Sequence, residues 1–180
     1  VLGDEGSGFH VGMLALRAAI KAEYHARHAT MLRAMIFEQY NVKINYQLIF
    51  LNLFARDRSE IASFARMANE AAEAGDPIAQ QVLREAAGAI FSNLRDLAEA
   101  FQLVDQEYTV VGVGSVALKI RQYWDEIVRL GHEQLPRFRF IQVPFPPVVG
   151  VAHCGLRLAG FSPESRANLL TIAKDLYKKL

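Results

Sequence analysis

The stretch Tyr108-Thr109-Val110-Val111-Gly112-Val113-Gly114-Ser115-Val116 decides the fold class that the sequence predicts. Its β-branched first part, from Tyr108 to Val113, is typical of a buried strand. Gly114-Ser115 then leads directly into an apolar helical pattern. A tight turn from a strand into a helix is where α/β proteins bind nucleotides, because the carboxyl ends of the strands open a crevice there. Glycine also serves ordinary strand-to-helix turns, so this motif alone leaves both interpretations open.

Helical patterns surround this strand on both sides. Apolar periodicity predicts about seven helices, over 9–28, 30–40, 57–75, 77–101, 116–130, 148–158 and from 162 onward. The fourth of these has Leu97 and Phe101 in register with its apolar face. The apolar stretch 45–55 fits a strand or a helix, and a buried helix is favoured. With a second strand from Phe138 to Val143, the sequence predicts a helix-rich α/β fold.

Composition narrows the class of protein. The 180 residues suit a single domain, and the net charge of +1 comes from scattered lysines and arginines, which argues against a nucleic-acid-binding surface. No apolar run reaches the roughly 18 residues that a membrane span requires. The single cysteine, Cys154, excludes an intramolecular disulfide and a zinc site made only of cysteines, and we predict a buried thiol. These features together predict a cytoplasmic protein without a membrane partner.

Two glycine-bearing segments could take part in binding. Gly3-Asp4-Glu5-Gly6-Ser7-Gly8 opens a helix, and its glycines let backbone N–H groups approach a ligand closely. Asp4 could accept hydrogen bonds from two neighbouring sugar hydroxyls, although a plain turn with a helix cap explains the same residues. The second segment, Pro146 to Ala152, is a proline-led helix of small residues, whose ordinary meaning is close helix packing.

Other candidate sites have simpler explanations. His25 and His28 lie three apart and could bind a metal, but a solvated helix face is favoured because no third ligand is near. Tyr123 and Trp124 fit a hydrophobic core. Asp57 with Glu60 predicts a helix cap. Gly75-Asp76-Pro77 predicts the end of one helix and the cap and first turn of the next.

Four segments taken together resemble the N-acetylglucosamine kinase and BadF/BadG ATPase group. They are Leu2 to Ser7, Glu70 to Ala79, Val113 to Val116 and Pro146 to Ala152, in the order in which the family carries them. The resemblance covers nearly the whole chain. It implies that residues 1–180 form one C-terminal lobe of an actin-like ATPase (ribonuclease H-like) fold, with a small remnant sheet and with the N-terminal lobe absent.

The resemblance also implies a role for particular residues. The sugar would contact Gly3, Asp4 and Glu5, and the adenosine of ATP would contact Ala62, Gly114 and Ser115. The general base and the phosphate-binding loops would lie upstream of Val1, so this chain is expected to bind substrates rather than to catalyse by itself. We therefore predict no catalytic or metal-binding residue within it, and Mg²⁺ would bridge the nucleotide phosphates.

The activity implied for the intact protein is transfer of the γ-phosphate of ATP to a hydroxyl of N-acetylglucosamine or glucosamine. The expected partners are the amino sugar, the N-terminal lobe of the same protein and a second copy in a homodimer. Two alternatives remain open. One is an ATPase of the same group that activates a radical dehydratase or reductase, which needs cysteines for an iron–sulfur cluster. The other is a non-catalytic interaction module.

Overall fold

The chain is described by a computed structural model over residues 3–41, 57–143 and 145–177. The prediction for 45–55 concerns residues outside these ranges. Within them lie eight α-helices: α1 Gly8–Tyr24, α2 Met31–Tyr40, α3 Arg58–Glu73, α4 Pro77–Ala100, α5 Gly114–Lys119, α6 Arg121–Gln134, α7 Pro147–Leu158 and α8 Pro163–Tyr177. The two strands are β1 Tyr108–Gly112 and β2 Phe138–Gln142. The predicted helix-rich architecture with a small sheet is confirmed.

The hydrophobic core lies mainly among α1, α3 and α4. Alanines make up much of the facing surfaces, which lets these helices pack closely. The closest approach is at Gly12 of α1, where an added Cβ would overlap the backbone carbonyl oxygen of Ile61 in α3. Larger side chains fill the remaining space, with Leu16, Phe64 and Leu83 almost fully buried. The α1–α3 contact positions the loop that precedes α1 against the start of α3.

Asp76 joins the N-termini of two helices. Its Oδ1 accepts from the backbone N–H groups of Ile78 and Ala79, which caps α4 as predicted. Its Oδ2 accepts from the Thr30 hydroxyl at 2.7 Å and from the Met31 N–H, which fixes the start of α2. Burial acts to raise the pKa of Asp76, but these hydrogen bonds outweigh it and hold the pKa below its ordinary value.

The sheet consists of β1 and β2 paired in parallel. Tyr108 lies opposite Phe138, and Gly112 lies opposite Gln142. The connection between the strands contains α5 and α6, as a parallel pair requires. Trp124 of α6 packs directly against Gly112, where an added Cβ would overlap the indole ring. Tyr123 is buried in the core and Trp124 packs against it, as predicted.

Several predicted details are wrong. β1 is exposed along most of its length rather than buried, because α6 packs against part of the sheet only. Leu97 and Phe101 are 55% and 67% exposed, whereas Ala98 is buried, so the core-facing side of α4 passes through Ala98 and not through Leu97. Cys154 is exposed, because it lines an open apolar cleft rather than the core.

Helix boundaries also differ from the predictions in two places. The helix predicted over 116–130 is two helices, because the chain turns at Ile120, which ends α5 and begins α6. α1 ends at Tyr24, and a short 3₁₀ turn, Ala26–His28, follows it. None of the helices in the described ranges combines the length and the hydropathy that crossing a membrane requires.

Candidate functional site

The loop before α1 is a tight turn held by its own hydrogen bonds. The Ser7 N–H donates to the Asp4 carbonyl at 3.0 Å, and the Ser7 hydroxyl oxygen caps α1 by accepting from the His10 N–H at 3.1 Å. The Gly6 N–H donates to His10 Nδ1 at 3.0 Å. Gly6 has φ +74°, and a Cβ there would lie 2.5 Å from Ile90 Cβ. Glycine is therefore required at position 6 both by conformation and by space.

Tyr123 fastens this loop to α6. Its hydroxyl donates to the Gly6 carbonyl at 2.9 Å. Burial raises the pKa of Tyr123 to about 12, so the phenol stays protonated at neutral pH and remains a donor. Tyr123 was predicted only as a core residue. Its bond to Gly6 was not predicted, because the two residues are 117 positions apart.

The three residues predicted to contact the sugar lie together on the loop but have different surroundings. Gly3 is exposed with φ +84°, and the space beside it is open. Asp4 is partly buried and forms an ion pair with Arg58 of α3 through its Oδ2. Glu5 lies 3.5 Å from the Asn93 amide nitrogen of α4. The two carboxylates thus contact different helices, Asp4 at α3 and Glu5 at α4. Arg58 is a site residue that was not predicted from the sequence.

A cleft of about 410 Å³ lies beside the loop, between α3 and α5. Its walls contain Ala62 and Ser115, two of the three residues predicted to contact adenosine. Gly114 lies next to the cleft but not among its lining residues. It has φ +85°, which a residue with a side chain rarely adopts, and it turns the chain from β1 into α5. The structure therefore brings Ala62 and Ser115 together and gives Gly114 the role of shaping the turn.

Four polar or charged side chains also line this cleft, and the sequence analysis missed them. Ser63, Arg66 and Asn69 come from α3, and Lys119 comes from α5. The positions 62, 66 and 69 recur at four- and three-residue steps, which places them along one face of α3. This spacing can be seen in the sequence. It indicates a cleft wall only when α5 is known to lie opposite this face of α3.

Gly8 joins the loop to the cleft. It is the first residue of α1 and also lines the cleft wall. A Cβ at Gly8 would lie 3.6 Å from Ala62 Cβ and 3.6 Å from Val116 Cγ2. Arg58, the partner of Asp4, is one helical turn before Ala62 on α3. The loop and the cleft are therefore neighbours around one glycine.

His, Cys, Asp and Glu side chains are scattered through residues 3–41, 57–143 and 145–177. These ranges contain no group of three or more His, Cys, Asp or Glu side chains placed to hold an ion. The rings of His25 and His28 lie 5.8 Å apart in a T-shaped arrangement. We assign no metal site to the described residues.

No family model matches the chain. It is 27% identical over 144 residues to the N-acetylmuramic acid/N-acetylglucosamine kinase of Clostridium acetobutylicum. The match covers 79% of this chain and 47% of that kinase, so the chain spans about half the length of the curated relative. The chain is thus similar to an N-acetylglucosamine-type sugar kinase, which agrees with the resemblance that its four sequence segments predict.

Proposed function

We propose that this chain forms the sugar-binding and adenosine-binding part of an ATP-dependent kinase. The acceptor would be an amino sugar such as glucosamine, N-acetylglucosamine or N-acetylmuramic acid. The observation that carries the proposal is the position of Gly8, which connects the loop of Asp4 to the cleft of Ala62 and Ser115. A kinase must hold its two substrates side by side, and the two candidate sites meet this requirement.

The loop would bind the sugar through the Asp4 carboxylate. An ionised carboxylate accepts hydrogen bonds with both oxygens, and Arg58 contacts only Oδ2. Oδ1 is then available to sugar hydroxyls, and a Cβ at Gly3, on the same loop, would have no atom within 4 Å apart from those of its chain neighbours. Gly6, Ser7 and Tyr123 contribute by fixing the loop backbone.

The cleft would bind the nucleotide. Its volume of about 410 Å³ lies within the range of roughly 300–1,000 Å³ typical of small-molecule sites. Arg66 and Lys119 supply positive charge near its walls, and Asn69 and Ser115 supply hydrogen-bonding groups. These side chains suit a ligand that combines an aromatic base with phosphates.

The chemistry of transfer needs two further components. A general base accepts the proton of the sugar hydroxyl, and Mg²⁺ neutralises the phosphates. The described residues include no group of three or more His, Cys, Asp or Glu side chains placed to hold Mg²⁺, so we do not assign its coordination to them. Their proposed task is to bind and orient the two substrates.

The test is sugar-dependent ADP formation by the full-length protein. N-acetylglucosamine, N-acetylmuramic acid and glucosamine would each be supplied with ATP and Mg²⁺, with glucose as the comparison. We expect turnover with at least one amino sugar and much less with glucose. ATP binding without sugar-dependent turnover, together with bound iron, would instead support the dehydratase-activating ATPase.

A further inference from the structure

Arg58 occupies a defined place at the edge of the candidate sugar site. It is the first residue of α3, directly after Asp57, whose carboxylate caps the helix by accepting from the Ser59 N–H at 2.9 Å. Its guanidinium lies over the ring of Phe9, with 4.5 Å from Cζ to the ring centroid. The aromatic face and the ion pair with Asp4 together hold the cation beside the loop.

Most of the hydrogen-bonding capacity of Arg58 is not used by residues 3–41, 57–143 and 145–177. One Nη donates to Asp4 Oδ2, and the other N–H groups make no hydrogen bond to any described residue. The side chain is 53% exposed. An arginine that served only to orient Asp4 would need none of this remaining donor surface. The exposed part of the guanidinium is therefore free to contact a ligand bound at Asp4.

We propose that Arg58 is a specificity-determining residue that binds a carboxylate carried by the sugar. This inference rests on the proposed function, and it assigns the recognition of the acidic substituent of such a sugar to one side chain. N-acetylmuramic acid is N-acetylglucosamine with a lactyl group, which ends in a carboxylate, joined through an ether oxygen. The planar guanidinium presents parallel N–H donors that match the two oxygens of a carboxylate.

The neighbouring charges are compatible with this role. Asp4 is the nearest anion, and its ion pair with Arg58 reduces its repulsion of a second carboxylate. Glu5 is turned toward Asn93 of α4. The next arginine along α3, Arg66, is about two turns further and lines the nucleotide cleft instead. Arg58 is therefore the cation that an acidic substituent held at Asp4 would meet.

The test compares the affinities of three sugars by calorimetry with the full-length protein. The sugars are N-acetylglucosamine, N-acetylmuramic acid and the methyl ester of N-acetylmuramic acid, which has the same shape without the charge. The variants are Arg58→Gln and Arg58→Lys, with Arg84→Gln, an exposed arginine on α4, as the control. We expect the wild-type protein to bind the acid at least about tenfold more tightly than the ester, because one charge-assisted hydrogen-bonded pair contributes that much.

Arg58→Gln should abolish this preference for the acid, so the acid should lose about tenfold more affinity than N-acetylglucosamine or the ester. Arg58→Lys should retain part of the preference, because it keeps the charge but loses the paired donors. Arg84→Gln should leave all three affinities unchanged.

Three results would overturn the inference. The first is equal wild-type affinity for the acid and its ester, which requires no variant and remains informative if Arg58→Gln misfolds. The second is an equal loss for all three sugars in Arg58→Gln, which would make Arg58 a positioning residue for Asp4. The third is that the wild-type protein binds N-acetylglucosamine but not N-acetylmuramic acid. That result would contradict the role of Arg58 and leave the proposed function standing. Binding of none of the sugars would contradict the proposed function as well.

Discussion

The helical layer formed by α1, α3 and α4 and the C-terminal pair α7 and α8 use similar residues with different results. Each helix of the layer buries several side chains in a shared core. Among the described side chains of α7 and α8, only Val149 and Ala173 are buried. Val148 and Val151 of α7 are largely exposed. An apolar helix of small residues can therefore pack closely against other helices. Whether it does so within this chain depends on which elements lie next to it.

Glycine shows the same contrast at single positions. Gly12 in α1 lies where a Cβ would overlap the Ile61 carbonyl oxygen of α3. Gly150 and Gly155 in α7 have open space beside them. The small-residue segment from Pro146 was predicted to pack closely, and against the described residues that prediction is wrong.

The largest expected effect at these glycines comes from Gly12→Ala. The added methyl group must displace α1 from the α3 backbone, and we expect a loss of about 3 kcal/mol in the free energy of unfolding. The matched substitution Gly155→Ala should stabilise by about 0.5–1 kcal/mol, because alanine favours a helix and nothing obstructs it. Urea unfolding measures both, and similar effects at the two positions would contradict the contrast between the regions.

Asp76→Ala should have the next largest effect. The substitution removes the cap of α4 and the acceptor of the Met31 N–H at the start of α2, and it leaves these donors unpaired, so we expect a loss of about 2–3 kcal/mol. Asp57→Ala is the control, since Asp57 caps α3 alone and is exposed, and it should cost about 1 kcal/mol. Thermal unfolding at pH 7 would distinguish them. A smaller effect at Asp76 than at Asp57 would show that the α2–α4 junction is not held by this carboxylate.

The same residue predicts a dependence on pH. The hydrogen bonds to Asp76 hold its folded-state pKa below the ordinary value, so the stability gained is fully present above about pH 4, near the unfolded-state pKa. It is lost as pH falls through the lower folded-state pKa. Asp76→Asn, which cannot ionise, should therefore be less stable than wild type at pH 7, with a gap that narrows on acidification. Urea unfolding at several pH values measures this difference in unfolding free energy. A difference that stays constant between pH 7 and pH 2.5 would contradict the assignment.

The smallest expected effect is at Leu97. This side chain is exposed at the end of α4, so Leu97→Gln should change stability by less than about 0.5 kcal/mol. Leu83→Ala, in the buried part of the same helix, should cost about 2–5 kcal/mol. If Leu97→Gln were equally costly in urea unfolding, Leu97 would be covered by another part of the protein.

Local sequence signals predicted the helical layer well. The caps at Asp57 and Asp76, the proline at 77 and the apolar repeats all act within a few residues, so the sequence itself contains the information. The break at Ile120 was missed because apolar periodicity continues through it. The exposure of β1 and of Cys154 was not predicted, because the burial of a side chain depends on which other helices and strands pack against it.

The candidate site was predictable only in part. The sequence indicated the glycine loop and the strand-to-helix turn, and resemblance supplied the residues Asp4, Ala62 and Ser115. The Tyr123–Gly6 hydrogen bond and the Asp4–Arg58 ion pair join residues 117 and 54 positions apart, and no local pattern reveals them. Gly8 as the junction of loop and cleft also required the structure.

The proposed function requires that the loop carrying Asp4 bind the sugar and that the cleft lined by Ala62 and Ser115 bind the nucleotide. The most direct measurement is the affinity of full-length Asp4→Asn and Ser115→Phe for N-acetylglucosamine and for ATP. Asp4→Asn should weaken sugar binding about a hundredfold and leave ATP affinity nearly unchanged. Ser115→Phe should lower ATP affinity at least tenfold with a much smaller change for the sugar, and with a ligand-free Tm close to wild type. Unchanged affinities in both folded variants, or an equal loss of both ligands in each, would contradict the claim.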